Sequence, residues 1–307
     1  MKQADPLFIQ LHQQREGLPW LLILHGFMGA GELFGPIAGR LTEFCNPVTV
    51  DLPGHGRSIG SKTPEVYHAE RQVERLTDVI DHLEQLEKVI CHQDHLDSSH
   101  LTDGSPNRLL VYGYSMGGRL ALHLAAAMPE RVSGLLLEST TPGLRQVQQR
   151  RERQALDEER AVAIERDFPG FLKQWKAMPL FAASRSAGRN ELAEDVNESQ
   201  KQIQDQIQKR YPEVMRRQKP GWLAASLRGF GTGQMPHLWN RLSGLNMPSL
   251  LLSGSRDNKF CIIHEEMSRQ LPNAVRKTAE GAGHRVHADR PEWLIQKIRT
   301  FIQSTGI

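Results

Sequence analysis

The chain has 307 residues, 39% of them hydrophobic, with a formal net charge of +3 and a mean hydropathy of −0.47. That length suffices for one large domain, or for a core carrying an inserted subdomain, with a sizeable buried interior. So small a net charge argues against a nucleic-acid-binding surface, and no apolar run approaches the ~20 residues of a membrane span. Three cysteines, Cys45, Cys91 and Cys261, are spread without a C-x-x-C and read as reduced thiols, which implies a cytoplasmic protein. The polar stretch 1–17 has no continuous apolar segment, so no secretory leader is expected.

In chain order, residues 6–13 read as a leading strand and 19–25 (PWLLILH) as a fully apolar strand buried on both faces. The latter runs into a glycine-rich loop, 25–31, and then a helical stretch over 33–44. A second buried strand over 47–51 ends in Asp51-Leu52-Pro53-Gly54-His55-Gly56, and a helical pattern follows over 70–86. His25 and His55 read as histidines that structure these loops. Residues 87–107 then turn polar, with Cys91, His92, Asp94, His95, Asp97 and His100 close together. These are metal-ligand types. The neighbouring Asp97-Ser98-Ser99 and Asp103-Gly104-Ser105-Pro106 are flexible-loop chemistry, so a surface insertion is the expectation and a metal site is not.

The chain is organised around the next segment. An apolar β-rich run over 109–112 ends in Gly113-Tyr114-Ser115-Met116-Gly117, and a helical pattern starts at once. A G-x-S-x-G between strand and helix is a nucleophile elbow, a turn too tight for flanking side chains, which lifts the serine hydroxyl above the sheet edge. Another buried strand over 132–138 follows, and then the composition shifts. From 145 to 236 the chain is charged, glutamine-rich and helical, with stretches over 148–166, 169–181, 190–210 and 220–230. Strand patterns return at 248–253 and 274–278, and a last amphipathic helix spans 291–303. The expected architecture is α/β, a mostly parallel central sheet flanked by helices with an inserted helical cap. Its divisions are a core over 1–144, a cap over 145–236 and the rest of the core over 237–307. The cap would overhang the C-terminal edge of the strands, where open α/β sheets keep their sites.

A catalytic serine needs an imidazole to take its proton and a carboxylate to orient the imidazole. Asp257 lies just beyond the strand at 248–253, and His284 directly follows the turn Gly281-Ala282-Gly283. Ser115, Asp257 and His284 thus fall in the chain order that a G-x-S-x-G elbow uses. His287 is a rival imidazole, although it lacks the glycine turn. The oxyanion donors expected are the backbone amides of Phe27 and Met116.

With these motifs in place, the sequence resembles the α/β-hydrolase superfamily over nearly its whole length. In detail it resembles the synthases of 2-succinyl-6-hydroxy-2,4-cyclohexadiene-1-carboxylate (SHCHC) in menaquinone and phylloquinone biosynthesis. The resemblance rests on Leu24-His25-Gly26-Phe27-Met28-Gly29, the elbow with Arg119 behind it, and Pro142-Gly143-Leu144 followed by 150–154 (RRERQ). It continues through 171–181 around Trp175, 226–233 (SLRGFGTG), Asp257-Asn258-Lys259-Phe260 and the His284 loop. It implies a lyase without metal or organic cofactor, in which His284 draws the Ser115 proton, the alkoxide removes a ring proton and pyruvate leaves. The partner implied is a small anionic polycarboxylate. By position, Arg119 and Arg153 match the family's carboxylate binders, Tyr114 a hydrogen-bond donor of its pocket, Trp175 an aromatic wall and Lys259 a further pocket residue. The family has one more cap arginine, for which Arg216 is the candidate and Arg217 the alternative, while strict spacing lands on Met215. The competing functions are an ester or carbon–carbon bond hydrolase using the same triad and, behind it, a non-catalytic binding protein. The motifs leave oligomeric state open.

Overall fold

Five apolar runs form strands that are buried at every residue: β2 (Trp20–Leu24), β3 (Asn46–Val50), β4 (Leu109–Tyr114), β5 (Gly134–Glu138) and β6 (Ser249–Gly254). The structure, a computed structural model, describes residues 5–93, 108–181 and 198–306. Two more exposed strands, β1 (Ile9–Leu11) and β7 (Ala274–Ala279), close the edges of a seven-stranded sheet in the order β1-β3-β2-β4-β5-β6-β7. Only β1 is antiparallel to its neighbour. Strands covered on both faces are predominantly apolar, which is why near-continuous runs and not an alternating pattern marked them.

Helices α1 (Gly35–Leu41), α2 (Ala69–Gln93) and α3 (Met116–Ala127) follow the early strands. Between β5 and β6 come α4 (Val147–Arg166), α5 (Phe168–Ala177), α6 (Glu198–Arg217) and α7 (Pro220–Phe230). The chain ends with α8 (Asn258–Ser268), the short α9 (Val286–Asp289) and α10 (Pro291–Thr305). Leu76, Ile80 and Leu83 of α2 pack with Leu120 and Leu124 of α3 on one face of the sheet, while Ile37 and Leu41 of α1 pack with Leu294 and Ile298 of α10 on the other. A third apolar cluster joins α4, α5, α6 and α7 through Ile164, Phe171, Met215 and Leu223, and reaches the core at Met28.

One sequence expectation changes. Residues 87–93 do not open a loop but continue α2 as helix; the rest of the histidine-rich cluster, from Asp94 onward, lies outside the described residues. Asp257 directly precedes α8. Among the described residues no helix is long and apolar enough to cross a membrane.

The core also holds imidazoles that burial keeps neutral. It pushes His55 down to about 3, and His123 and His264 each down to about 4. The unfolded chain accepts protons at these sites below about pH 6.5, whereas the folded chain withholds them. Their contribution to stability is therefore complete above that pH and is lost as the pH falls toward 4. Denaturant unfolding between pH 8 and 4.5 is expected to give a plateau, then a decline on the order of 1.4 kcal/mol per pH unit for each imidazole. A stability that stays level down to pH 4.5 would contradict this origin.

Candidate active site

Ser115 stands one residue beyond β4, between the strand and α3, with φ 52° and ψ −105°. A non-glycine residue in that region is strained and persists only when its surroundings hold it. Its amide donates to the Glu138 carbonyl at 2.9 Å, and its own carbonyl accepts from the Thr140 hydroxyl at 2.7 Å. Gly117 completes the elbow, because a Cβ there would collide with the carbonyls of Leu24 and His25 at the end of β2. Met116 is the first residue of α3, so its N–H has no acceptor within the helix.

Asp257 and His284 come from the loops after the neighbouring strands β6 and β7. The His284 ring donates from Nδ1 to Asp257 Oδ2 at 2.7 Å, which leaves Nε2 to accept from the Ser115 hydroxyl at 3.2 Å. His284 is 2% exposed and Asp257 7%, so both lie in a medium where the two bonds are strong. The loop is pinned just before the imidazole, where Gly283 N–H donates to Asp289 Oδ2 at 2.8 Å. The sequence order Ser115, Asp257, His284 thus becomes one connected chain of hydrogen bonds.

His287, the rival, is held elsewhere. Its Nδ1 donates to Glu138 Oε1 at 2.7 Å, and Tyr211 of α6 lies against its Nε2 at 2.7 Å. Glu138 also accepts from the Tyr112 hydroxyl and from the His287 amide. The sequence signal for this network was present but unused: a glutamate closing an otherwise apolar buried strand must find donors. His25 is also structural, since Leu52 N–H donates to its Nε2 at 2.9 Å and its Nδ1 donates to the Gly26 carbonyl at 2.8 Å. His55 packs beside it, with ring centroids 5.3 Å apart.

The triad opens into a cavity of about 290 Å³ lined by Phe27, Tyr114, Met116, Arg119, Arg153, Arg160, Trp175 and Lys259, among others. The structure thus brings together every sequence-derived candidate except Arg216. Arg119 is 8% exposed and donates to the Phe230 carbonyl at 2.9 Å. Burial, and next the charge on Arg153, pull its guanidinium down to about 9, so it remains cationic at neutral pH. Arg153 donates from Nε to Asp157 Oδ1 at 2.9 Å. Burial, with Arg153 next, also lowers Lys259. The Trp175 ring meets Phe27 edge-on at 5.5 Å, and the Tyr114 ring lies 5.4 Å from that of His284. No aspartate or glutamate appears among the described lining residues.

Arg216 is a correction. Met215 turns into the apolar cluster of α4 to α7 and is 2% exposed. The next residue on a helix is rotated by roughly 100°. Arg216 therefore emerges on the outer face of α6, in a separate groove with Phe168, Leu172 and Lys173. Arg217 pairs with Glu32. Arg228 of the SLRGFGTG run also stays outside the cavity: it clamps Glu158 and Glu165 of α4 at 2.8 Å each. What sequence reasoning missed is Arg160. It is seven residues beyond Arg153, and that spacing on a helix repeats the same face.

The chain matches the family described as "Alpha/beta hydrolase family" over residues 21–297. A Bacillus subtilis (strain 168) protein with the provisional name 2-succinyl-6-hydroxy-2,4-cyclohexadiene-1-carboxylate synthase is 33% identical, over 92% of this chain and 90% of that protein. The synthase of the same name from Pectobacterium atrosepticum is 27% identical, over 92% of this chain and 94% of that one. Among solved structures, MenH from S. aureus superposes with a TM-score of 0.79 at 26% identity, covering 97% of this chain and 99% of the other. Elbow, triad order, helical insertion and this similarity over almost the full length agree: the chain belongs to the alpha/beta hydrolase family and, within it, to the 2-succinyl-6-hydroxy-2,4-cyclohexadiene-1-carboxylate synthases.

Proposed function

We propose that the protein is an SHCHC synthase that eliminates pyruvate from 2-succinyl-5-enolpyruvyl-6-hydroxy-3-cyclohexene-1-carboxylate, with Ser115, His284 and Asp257 acting together as the base. The observation that carries this reading is the lining of the cavity: the triad faces a chamber whose charged lining side chains are all cations. An apolar acyl group has no use for inward-facing arginines, whereas this substrate carries three carboxylates. Guanidinium binds carboxylate through a planar fork.

The change from a 3-ene to a 2,4-diene fixes the chemistry. A proton leaves C2, the double bond shifts, and the enolpyruvyl oxygen leaves C5, so that pyruvate forms when the released enol takes up a proton. The C2 proton is adjacent to the succinyl ketone, and its loss places negative charge on that ketone oxygen. Asp257 orients His284, His284 takes the Ser115 proton, and the alkoxide removes the C2 proton. The backbone N–H groups of Phe27 and Met116 are the donors for the developing enolate oxygen, with the N-terminal end of α3 behind them. Arg119, Arg153 and Lys259 bind carboxylates, Tyr114 donates a hydrogen bond and Trp175 forms a wall. Residues 145–236 serve as the cap. No covalent intermediate is required.

The direct test is pyruvate release from the enolpyruvyl substrate, read by coupling to lactate dehydrogenase with the uncatalysed rate subtracted. Release at the uncatalysed rate, together with turnover of simple esters, would move the protein to the hydrolases. Within the same assay Arg153→Ala is expected to lower kcat/KM by roughly 10- to 1,000-fold, the range for losing a charge-assisted bidentate contact. A loss under threefold would remove Arg153 from the binding site.

A further inference from the structure

Helix α4 carries two arginines toward the cavity, and only Arg153 is accounted for by the family's pattern. Arg160 lies two turns further along the same face and lines the same chamber. Between them Asp157, 3% exposed, takes Arg153 Nε on Oδ1 at 2.9 Å, and Arg160 Nη1 lies 3.5 Å from the same oxygen. Its other oxygen, Oδ2, is buried and has no hydrogen-bond partner among the described residues. Gly231 leaves room for that oxygen, because a Cβ there would strike it. One carboxylate thus anchors two guanidiniums and is itself kept out of the cavity lining.

Arg160 is further held under the Trp175 ring, with its guanidinium carbon 5.7 Å from the centroid. A guanidinium has five N–H donors, and Asp157 engages one end of this one. With Arg119 and Lys259, four cations line a space that no described carboxylate lines. Like charges gathered in a partly desolvated chamber repel one another, and an anionic ligand relieves the repulsion. The family's further cap arginine has no counterpart in this lining, since position 215 is methionine and Arg216 faces outward.

We propose that Arg160, set in place by Asp157, is a third carboxylate-binding arginine and a specificity residue for a tricarboxylate, supplied from α4 instead of α6. The inference rests on the reading of the reaction given above. Asp157 is the positioning residue, acting through Arg153 and Arg160.

The experiment is steady-state pyruvate release by wild type, Arg160→Met, Arg160→Lys and Asp157→Asn, with the thermal midpoint of each variant recorded. Arg160→Met is expected to raise KM by roughly 10- to 100-fold while kcat changes by less than about threefold. Arg160→Lys restores part of the loss, because an ammonium keeps the charge without the fork. Asp157→Asn raises KM in the same direction by a smaller factor. A folded Arg160→Met with the wild-type KM overturns the proposal, as does a fall in kcat at constant KM. Should Arg160→Met not fold, Arg160→Gln carries the same comparison. If wild type itself releases no pyruvate above background, the reaction reading falls separately. Calorimetric binding of tricarballylate to wild type and to Arg160→Met then decides the arginine: weaker binding by the variant supports it, equal binding overturns it.

Discussion

Ser115→Ala is expected to reduce pyruvate release by roughly 10³-fold or more, to near the uncatalysed rate, while leaving the fold in place. On the proposed reading the hydroxyl links His284 to the substrate; it lies 3.2 Å from Nε2, and among the described residues no other hydrogen bond depends on it. Alanine at φ 52° carries much the same backbone strain as serine, and the bonds to Glu138 and Thr140 are made by the main chain. Stability should therefore move by less than about 1 kcal/mol, within the usual range for a change that removes no packing. His284→Ala should cost as much, and the double variant little more than either alone, because the two groups act as one unit. A Ser115→Ala enzyme that retains a tenth of the wild-type rate would show that His284 removes the ring proton directly.

Glu138→Ala is expected to destabilise the protein by about 3–5 kcal/mol, the range for breaking a buried ionisable pair by deleting one partner. The carboxylate is fully buried and collects three donors: the Tyr112 hydroxyl, the His287 ring and the His287 amide. Deleting it leaves those donors without an acceptor and opens a cavity beneath the sheet edge. Because His287 also meets Tyr211, the damage extends to the seating of α6. Urea unfolding of wild type and variant measures this, and a difference below 1 kcal/mol would mean that the network contributes little. Glu138→Gln, which keeps an acceptor, should fall between them.

The central strands and the elbow were legible because covering a strand on both faces leaves no choice but apolar side chains, as in Trp20–Leu24. The triad was legible because each member follows a strand end and a tight turn. What escaped was rotational. Whether Arg216 faces the cavity depends on which way α6 is turned, and the linear motif carries only the spacing. Val214 and Met215 before it held that information, since an apolar pair between Glu213 and Arg216 marks the inward face. Arg160 escaped for the opposite reason: in a run of alternating charges every arginine looks solvated, and only its interval from Arg153 singles it out. The second imidazole pair was hidden because His287 and Glu138 are far apart in sequence and meet only through the pairing of strands.

Ser115, Asp257 and His284 are carried by loops of the sheet, whereas Arg153, Arg160 and Trp175 sit on one contiguous stretch inserted between β5 and β6. On the proposed reading, part of the carboxylate recognition therefore lies on a stretch of the gene apart from the triad, while Arg119 and Lys259 stay beside it. On that reading, exchange of the inserted stretch is expected to change which acid is accepted more than how its proton is removed.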